Sequence, residues 1–297
     1  MKRTLALVLA LSLPAPVASA CAALGPDGPV AIEGEEALIV WDEEHETEHF
    51  IRRAFFKDAP ADFGFLVPTP TNPEIAEAAS DVFERLYARY HKPEPHLKDA
   101  DLDGPRSAAA AVTVVQEKRV GGLDATVIQT TSVPALDAWL TKNHYPNGFI
   151  LRTWLKTYVE RGWYITAFKI ASNHARGLTS TAVRLSFSTA RPFFPYSEPA
   201  NGMRATRPFR LSLIASGKLA AGFGAAAWDA KVGYAQPLPL AAAHKLLDGS
   251  LPPKSIRAGW LTVLDEPKSL RGNDDLDIRP AHDQARVSAS LKNPIKP

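Results

Sequence analysis

The segment HETEH, residues 45–49, has the residue types and the spacing of the H-E-x-x-H motif of zinc peptidases. On a helix, His45 and His49 would lie on one face and could both bind a zinc ion, while Glu46 would activate the zinc-bound water. Either glutamate of the segment 74–77 could supply a third ligand. A zinc-dependent hydrolase is therefore one hypothesis for the function of this chain.

The flanking residues also allow a local structure in which the two histidines cannot share an ion. The longer motif H-E-x-x-H-x-x-G-x-x-H is absent, because Arg52 stands at the glycine position and Phe55 at the last histidine position. The apolar segments 37–41 and 49–56 predict two strands joined by an acidic turn. In an extended chain, residues four positions apart are separated by about 13 Å, whereas zinc–nitrogen bonds are about 2 Å long. We therefore predict a hairpin and assign no catalytic, cofactor or metal residues, keeping the two histidines as the metal candidates of the alternative.

Two other segments have features of binding sites. Residues 99–104 copy the opening of a calcium loop, but Ala110 stands where a bidentate glutamate is needed, so a solvated acidic turn is the better interpretation. The segment RPFFPY, residues 191–196, places aromatic rings between prolines. It could form a stacking surface for a sugar or a peptide, or a turn that fills the core. The sequence contains no G-x-S-x-G motif, so serine hydrolysis has no local support.

Residues 1–20 have the features of an export signal. The basic pair 2–3 precedes an apolar run at 4–13, and the small residues ASA at 18–20 form a cleavage site. The run of about ten residues is too short to span a bilayer, which takes about 20 residues in a helix. We therefore predict a cleaved signal peptide, a mature chain outside the cytoplasm, and no transmembrane helix in that mature chain.

Cys21 is the only cysteine and would be the first residue of the mature chain. A single cysteine cannot form an intrachain disulfide. If the preceding residues act as a lipoprotein signal, the thiol takes a diacylglycerol group and tethers the N-terminus to a membrane. After ordinary cleavage the thiol stays exposed. Both fates are open, so the predicted location is the periplasm, a membrane surface reached through Cys21, or the exterior.

Composition and charge are those of an ordinary globular protein. Of the 297 residues, 45% are hydrophobic and 22% are charged, and the formal net charge is +2. A nearly neutral chain lacks the positive field that binding to nucleic acid requires. We predict one domain at residues 21–266 and a polar tail at residues 267–297, because few apolar residues follow Pro267.

The residue pattern predicts an α+β fold, in which a mostly antiparallel sheet is packed by a few helices. Apolar residues at helical spacing predict helices at residues 73–90, 134–143 and 149–161. Short apolar runs predict strands at residues 35–41, 63–70, 163–171, 181–189, 209–217 and 259–265. The pair Gly121-Gly122 predicts the tight turn of a hairpin, since glycine readily adopts positive φ.

Taken in order, these segments resemble one bacterial family, domain of unknown function 2330. The resemblance rests on ALIVWD, TEHFIRRAFF, DFGFLVPTPTNPEIAEA, VGGLDATVIQTTSVPALDAWLTKNHY, YVERGWYITAFKIA, VRLSFSTARPFFPY and FRLSLIASG, which span nearly the whole mature chain. It implies an exported protein whose residues 42–49 form a short turn between strands, which favours the hairpin over the zinc site. The family has no established activity, so the resemblance supplies no catalytic residues.

The sequence therefore favours a noncatalytic binding or structural role at the cell envelope. The expected partner is an envelope component, and no cofactor is expected. Two alternatives stay open at this point. One is a zinc-dependent hydrolase that uses the HETEH segment, and the other is a cell-wall carbohydrate-binding protein that uses exposed aromatic residues.

Overall fold

The computed structural model describes residues 24–25, 28–29, 32–56, 64–91, 113–145, 148–170, 182–199, 206–224, 226–269, 271–272, 274–288, 291 and 295. The export segment 1–20, Cys21 and the calcium-like segment 99–104 lie outside the described residues, so what the sequence predicts for them stays a prediction. In the described part of the chain, every helix is too short or too polar to cross a bilayer.

Strands dominate the described residues, and helices pack around them. The strands are β1 (Leu24–Gly25), β2 (Gly28–Pro29), β3 (Ile32–Asp42), β4 (Thr47–Phe56), β5 (Gly64–Thr69), β6 (Glu74–Glu77), β7 (Thr113–Val120), β8 (Leu123–Gln129), β9 (Tyr164–Ile170), β10 (Val183–Ser188), β11 (Phe193–Phe194), β12 (Arg207–Ala215), β13 (Leu219–Phe223), β14 (Ala226–Ala227), β15 (Lys231–Leu238), β16 (Gly259–Ser269) and β17 (Leu276–Pro280). The helices of the described residues are α1 (Val82–Tyr90), α2 (Val133–Lys142), α3 (Phe149–Val159) and α4 (Leu240–Leu247), and a 3-10 turn lies at Pro253–Ser255.

A seven-stranded sheet forms the centre of the molecule, in the order β15-β16-β12-β3-β4-β10-β6. Neighbouring strands run antiparallel except β12 and β3, which are parallel. Its middle strands are buried on both faces, which explains the nearly continuous apolar run in β3. On one face, Leu38 and Ile51 pack with Leu246 of α4 and with α1. On the other face, Ile39 and Phe50 belong to the largest hydrophobic cluster.

A second sheet, in the order β2-β1-β5-β9-β8-β7, packs against that other face. Phe65 and Phe168 stack at 4.7 Å in the cluster shared by the two sheets. The outer face of the second sheet is covered by α2 and α3, where Leu66 packs against helix residues. Gly121 and Gly122 have φ values of 54° and 73° and form the turn between β7 and β8, as predicted. The layers therefore run helix, sheet, sheet, helix.

A small third sheet joins the end of the chain to the core. Its order is β11-β17-β13-β14, with antiparallel pairing throughout. Phe194, Leu276 and Ile278 are almost fully buried in the shared cluster. The predicted fold class, α+β with mostly antiparallel sheets, is confirmed, and α2 and α3 correspond to the predicted second and third helices.

The predicted helix at residues 73–90 is wrong in its first half. The segment Glu74–Glu77 is strand β6, which pairs antiparallel with β10, and the helix begins only at Val82. Ile75 is fully buried, and its carbonyl oxygen accepts a hydrogen bond from Lys118 Nζ at 2.8 Å. Pairing at the edge of the central sheet therefore outweighs the local helix-capping signal.

The segment 267–297 is not a polar tail in its described part. Strand β16 extends to Ser269, and β17 pairs with both β13 and β11. Arg271 is buried, with its guanidinium nitrogens 2.5 Å from Glu35 and 3.3 Å from Glu198. The polar composition of this segment was misleading, because a buried arginine and an exposed one look alike in a sequence.

Candidate functional site

Residues 45–49 lie in a β-hairpin. Strands β3 and β4 pair antiparallel with Val40 opposite His49, and residues 43–46 form the turn between them. Glu46 has a φ of 45°, in the left-handed region that non-glycine residues adopt mainly in turns. The predicted hairpin is confirmed, and the helical spacing on which the H-E-x-x-H motif depends is not formed.

The two histidines of the motif have different partners. His45 is exposed in the turn, with Nδ1 2.8 Å from Asp42 Oδ2. His49 is buried, with Nδ1 2.8 Å from Ser186 Oγ of β10. Burial lowers the pKa of His49 to about 4, helped by the positive charge of Arg184, so this imidazole is neutral at pH 7. The structure gives His49 a packing role within the central sheet.

Glu48, between the two histidines, is completely buried. The backbone N–H of Phe193 donates to its Oε2 at 2.9 Å, and Oε1 has no hydrogen-bond partner among the described residues. Burial raises the pKa of Glu48 well above the usual value, and the Phe193 bond offsets only part of this effect. Burial therefore favours the protonated form of Glu48. Successive strand residues point to opposite faces, so Glu48 and His49 lie in separate environments.

The glutamates that could have served as a third zinc ligand are engaged elsewhere. Both lie on β6, which is separated from β4 by β10. Glu74 Oε1 lies 2.9 Å from Arg184 Nη2. Glu77 accepts a hydrogen bond from the backbone N–H of Gly121 at 2.6 Å. The structure therefore does not bring the residues of the predicted zinc site together.

Three residues at the hairpin turn offer a different set of cation ligands. Donor atoms of Asp42, Glu44 and His45 all lie within 4.8 Å of one another. A cleft of about 370 Å³ adjoins them, lined in part by Ser216 and Arg257, and Glu44 lies 3.7 Å from Arg257. The H-E-x-x-H motif did not predict this set of ligands, because Asp42 and Glu44 precede the first histidine of the motif. The only signal in the sequence was the acidic character of the turn.

A second cleft, of about 480 Å³, combines aromatic and charged side chains. Its lining, which defines the aromatic cleft, consists of Tyr196, Phe223, Ala227, Trp228, Asp229, Glu266, Pro267, Lys268 and Gly272. The rings of Phe223 and Trp228 stand edge-on to Tyr196, at centroid distances of 5.4 and 5.8 Å and interplanar angles of 61° and 71°. The three rings therefore form a corner beside the charged side chains.

Separate elements bring the rings of the aromatic cleft together. Tyr196 follows β11, Phe223 ends β13, and Trp228 follows β14. The guanidinium carbon of Arg271 lies 4.2 Å from the centroid of the Tyr196 ring and holds this ring in place. In the RPFFPY segment the phenylalanines at 193–194 fill the core, as one of the two interpretations predicts, and Tyr196 is 2% exposed and lines the cleft. The stacking surface stays a prediction. The other two rings come from a stretch without a recognisable motif.

Glu266 lies at the aromatic cleft and is only 8% exposed. The Tyr196 hydroxyl donates to this carboxylate, with oxygen distances of 3.1 and 3.0 Å, and lies 3.1 Å from Ser269 Oγ. Burial raises the pKa of Tyr196, which keeps the hydroxyl protonated as a donor. Among the described residues, no lysine, arginine or histidine nitrogen lies within 4.0 Å of the Glu266 carboxylate.

Comparison with models of known protein families identifies the family of this chain. The family model for an uncharacterised protein conserved in bacteria, DUF2330, matches residues 15–248. The chain belongs to the DUF2330 family. The resemblance noted from the sequence segments is thereby confirmed, and the match covers the hairpin, Tyr196, Phe223 and Trp228, while Glu266 lies beyond it.

Comparisons with individual proteins add little to the DUF2330 assignment. Among the curated proteins, none is significantly similar to the chain. The crystal structure of baculovirus P35 is similar with a TM-score of 0.42 and 6% sequence identity, covering 84% of this chain and 94% of that chain. A similarity of this extent carries no information about function.

Proposed function

We propose that this chain is a noncatalytic binding protein of the cell envelope that holds a saccharide in the aromatic cleft. The proposal rests above all on the corner of Tyr196, Phe223 and Trp228 beside the carboxylates of Asp229 and Glu266. Clefts that combine aromatic walls with a few polar groups are typical small-ligand sites. The volume of about 480 Å³ falls in the range of such sites.

Each kind of side chain in the cleft suits one part of a sugar. The C–H face of a sugar ring packs on an aromatic face, and the sugar hydroxyls donate to carboxylate oxygens. The Lys268 ammonium group can donate to sugar oxygens at the exposed side of the cleft. A saccharide therefore uses both the apolar and the polar parts of the lining.

The envelope location is supported by the sequence of the first 21 residues. A signal peptide at residues 1–20 would export the chain, and lipidation of Cys21 would tether it to a membrane. A protein in this compartment meets wall and surface polysaccharides. The proposed location and the proposed ligand therefore agree.

Replacement of Phe223 by alanine is expected to weaken binding to isolated envelope polymers about tenfold, because aromatic residues in clefts contribute a large share of binding energy. Binding is measured by co-sedimentation of the purified mature protein with the polymers. Phe149→Ala is the matched control, since Phe149 lies at the start of α3 and is 76% exposed. Wild-type protein that stays in the supernatant would contradict the proposal. Equal loss in both variants would place binding outside the cleft.

The hydrolase alternative requires His45 and His49 to bind one zinc ion, and the hairpin gives the two imidazoles different partners. We expect the purified mature protein, after dialysis against zinc, to contain far less than one zinc per chain by elemental analysis. We also expect His45→Ala to leave that content unchanged. Stoichiometric zinc that is lost in His45→Ala would contradict this expectation and point to the Asp42, Glu44 and His45 set.

A further inference from the structure

The Glu266 carboxylate is the least compensated charge of the aromatic cleft. It is nine-tenths buried, and its hydrogen-bond partner from the described side chains is the neutral hydroxyl of Tyr196. Removing a carboxylate from water without a cationic partner is unfavourable. The nearby guanidinium of Arg271 is already paired with Glu35 and Glu198. A positive charge delivered by a ligand would compensate Glu266.

The other charges of the cleft lie at its exposed side. Asp229 and Lys268 are both exposed and carry opposite charges, so together they add little net field. Glu266 is therefore the acidic group at the floor of the cleft, because the Arg271 guanidinium on the Tyr196 ring is already paired with Glu35 and Glu198. The rings of Phe223 and Trp228 also favour a cation, because the ring quadrupole attracts a positive charge placed over it.

We propose that the saccharide held in the aromatic cleft carries a free amino group, whose ammonium form pairs with the Glu266 carboxylate beside the rings of Phe223 and Trp228. This inference rests on the proposed saccharide-binding function and names the class of sugar. An ammonium group makes two favourable interactions in the cleft, because it neutralises the carboxylate charge and is attracted to the aromatic faces. A neutral sugar can donate a hydroxyl hydrogen bond to the carboxylate but brings no positive charge.

The test compares three hexasaccharides with the same β-1,4 linkage that differ only at carbon 2. These are oligomers of glucosamine, N-acetylglucosamine and glucose, which carry an ammonium, an acetamido and a hydroxyl group. Binding to the mature protein is measured by calorimetry at a pH where the sugar amine is protonated. The glucosamine oligomer is expected to bind about tenfold more tightly than the other two. Its advantage should shrink as salt screens the charges.

Two variants assign the preference to the cleft. Glu266→Gln keeps an oxygen acceptor for the Tyr196 hydroxyl but removes the charge, so the three oligomers should bind within about twofold of one another. Lys268→Ala removes a like charge from the exposed side, and both oligomers lose the same lysine contact, so the preference for the glucosamine oligomer over the glucose oligomer should rise about twofold. The second variant alters an exposed side chain, so it serves as the test if the first one fails to fold.

The outcomes separate this inference from the proposed function. Equal or tighter binding of the glucose or N-acetylglucosamine oligomer would overturn the amino-sugar inference and leave the saccharide-binding proposal standing. Failure of the glucosamine oligomer to bind would also overturn the inference, whether or not isolated envelope polymers retain the protein. If isolated envelope polymers fail to retain the wild-type protein, the proposed function itself is overturned.

Discussion

Replacement of Arg271 by methionine is expected to lower the free energy of unfolding by about 3–5 kcal/mol at pH 7. Arg271 belongs to a buried ion network with Glu35, Arg52, Glu198 and Arg207. Burial alone would raise the pKa of Glu35, but Arg52, Arg271 and Arg207 together lower it to about 2. Removing one arginine leaves a fully buried carboxylate with less compensation, which is the costly way to break such a network.

The effect is measured by urea denaturation of the mature protein. Arg191→Met is the matched control, because Arg191 is 75% exposed and lies 3.9 Å from Asp277, and such a surface pair contributes less than about 1 kcal/mol. Glu35→Gln in the Arg271→Met background should recover part of the loss, since it removes the uncompensated charge. A loss for Arg271→Met as small as that for Arg191→Met would show that the network does not anchor the end of the chain.

The wild-type protein is expected to lose stability as the pH rises, and replacement of Glu48 by glutamine is expected to abolish this loss. Because the folded pKa of Glu48 is raised, the folded state keeps its proton while the unfolded state releases one above the usual pKa of about 4.5. The wild-type free energy of unfolding should therefore fall relative to Glu48→Gln by up to about 1.4 kcal/mol per pH unit. The fall begins near pH 4.5 and stops at the folded pKa of Glu48.

The measurement is a series of denaturant titrations between pH 4 and pH 9. Glu117→Gln is the control, since it makes the same chemical change at an exposed strand residue. His49 acts in the opposite direction at acid pH, because its pKa of about 4 makes the unfolded state take up a proton first as the pH falls below about 6.5. Both proteins retain His49, so the difference between them isolates Glu48. Parallel profiles would mean that Glu48 is ionised in the folded state.

Several elements could be predicted because local residues specify them. The glycine pair at 121–122 determines the turn between β7 and β8, and Ser132 caps α2 through a bond from the Ala135 N–H at 3.2 Å. The apolar runs on either side of the HETEH segment determine a hairpin rather than a helix, as found in β3 and β4. The spacing of apolar residues and the residue preferences of turns act within a few residues, so both can be recognised in the sequence without the rest of the fold.

Other elements were missed because distant partners decide them. Strand β6 forms at residues 74–77 since β10 offers a pairing edge more than 100 residues away. The segment after Pro267 is ordered by a β17 pairing and by the ion pairs of Arg271 with Glu35 and Glu198. Local propensity cannot anticipate such pairing, because it is a weak preference that tertiary contacts override.

The chain alone thus determines the α+β class, most strands and two of the helices, because backbone preference and apolar spacing are short-range properties. It also favours a hairpin over a helix at His45 and His49, and the pairing of β3 with β4 decides this choice. Three features depend on packing between segments that are far apart in the chain. These are the raised pKa of Glu48, the burial of Arg271 and the meeting of Tyr196, Phe223 and Trp228 in one cleft. Desolvation and ring geometry exist only once those segments are folded together, so only the tertiary structure could define this candidate site.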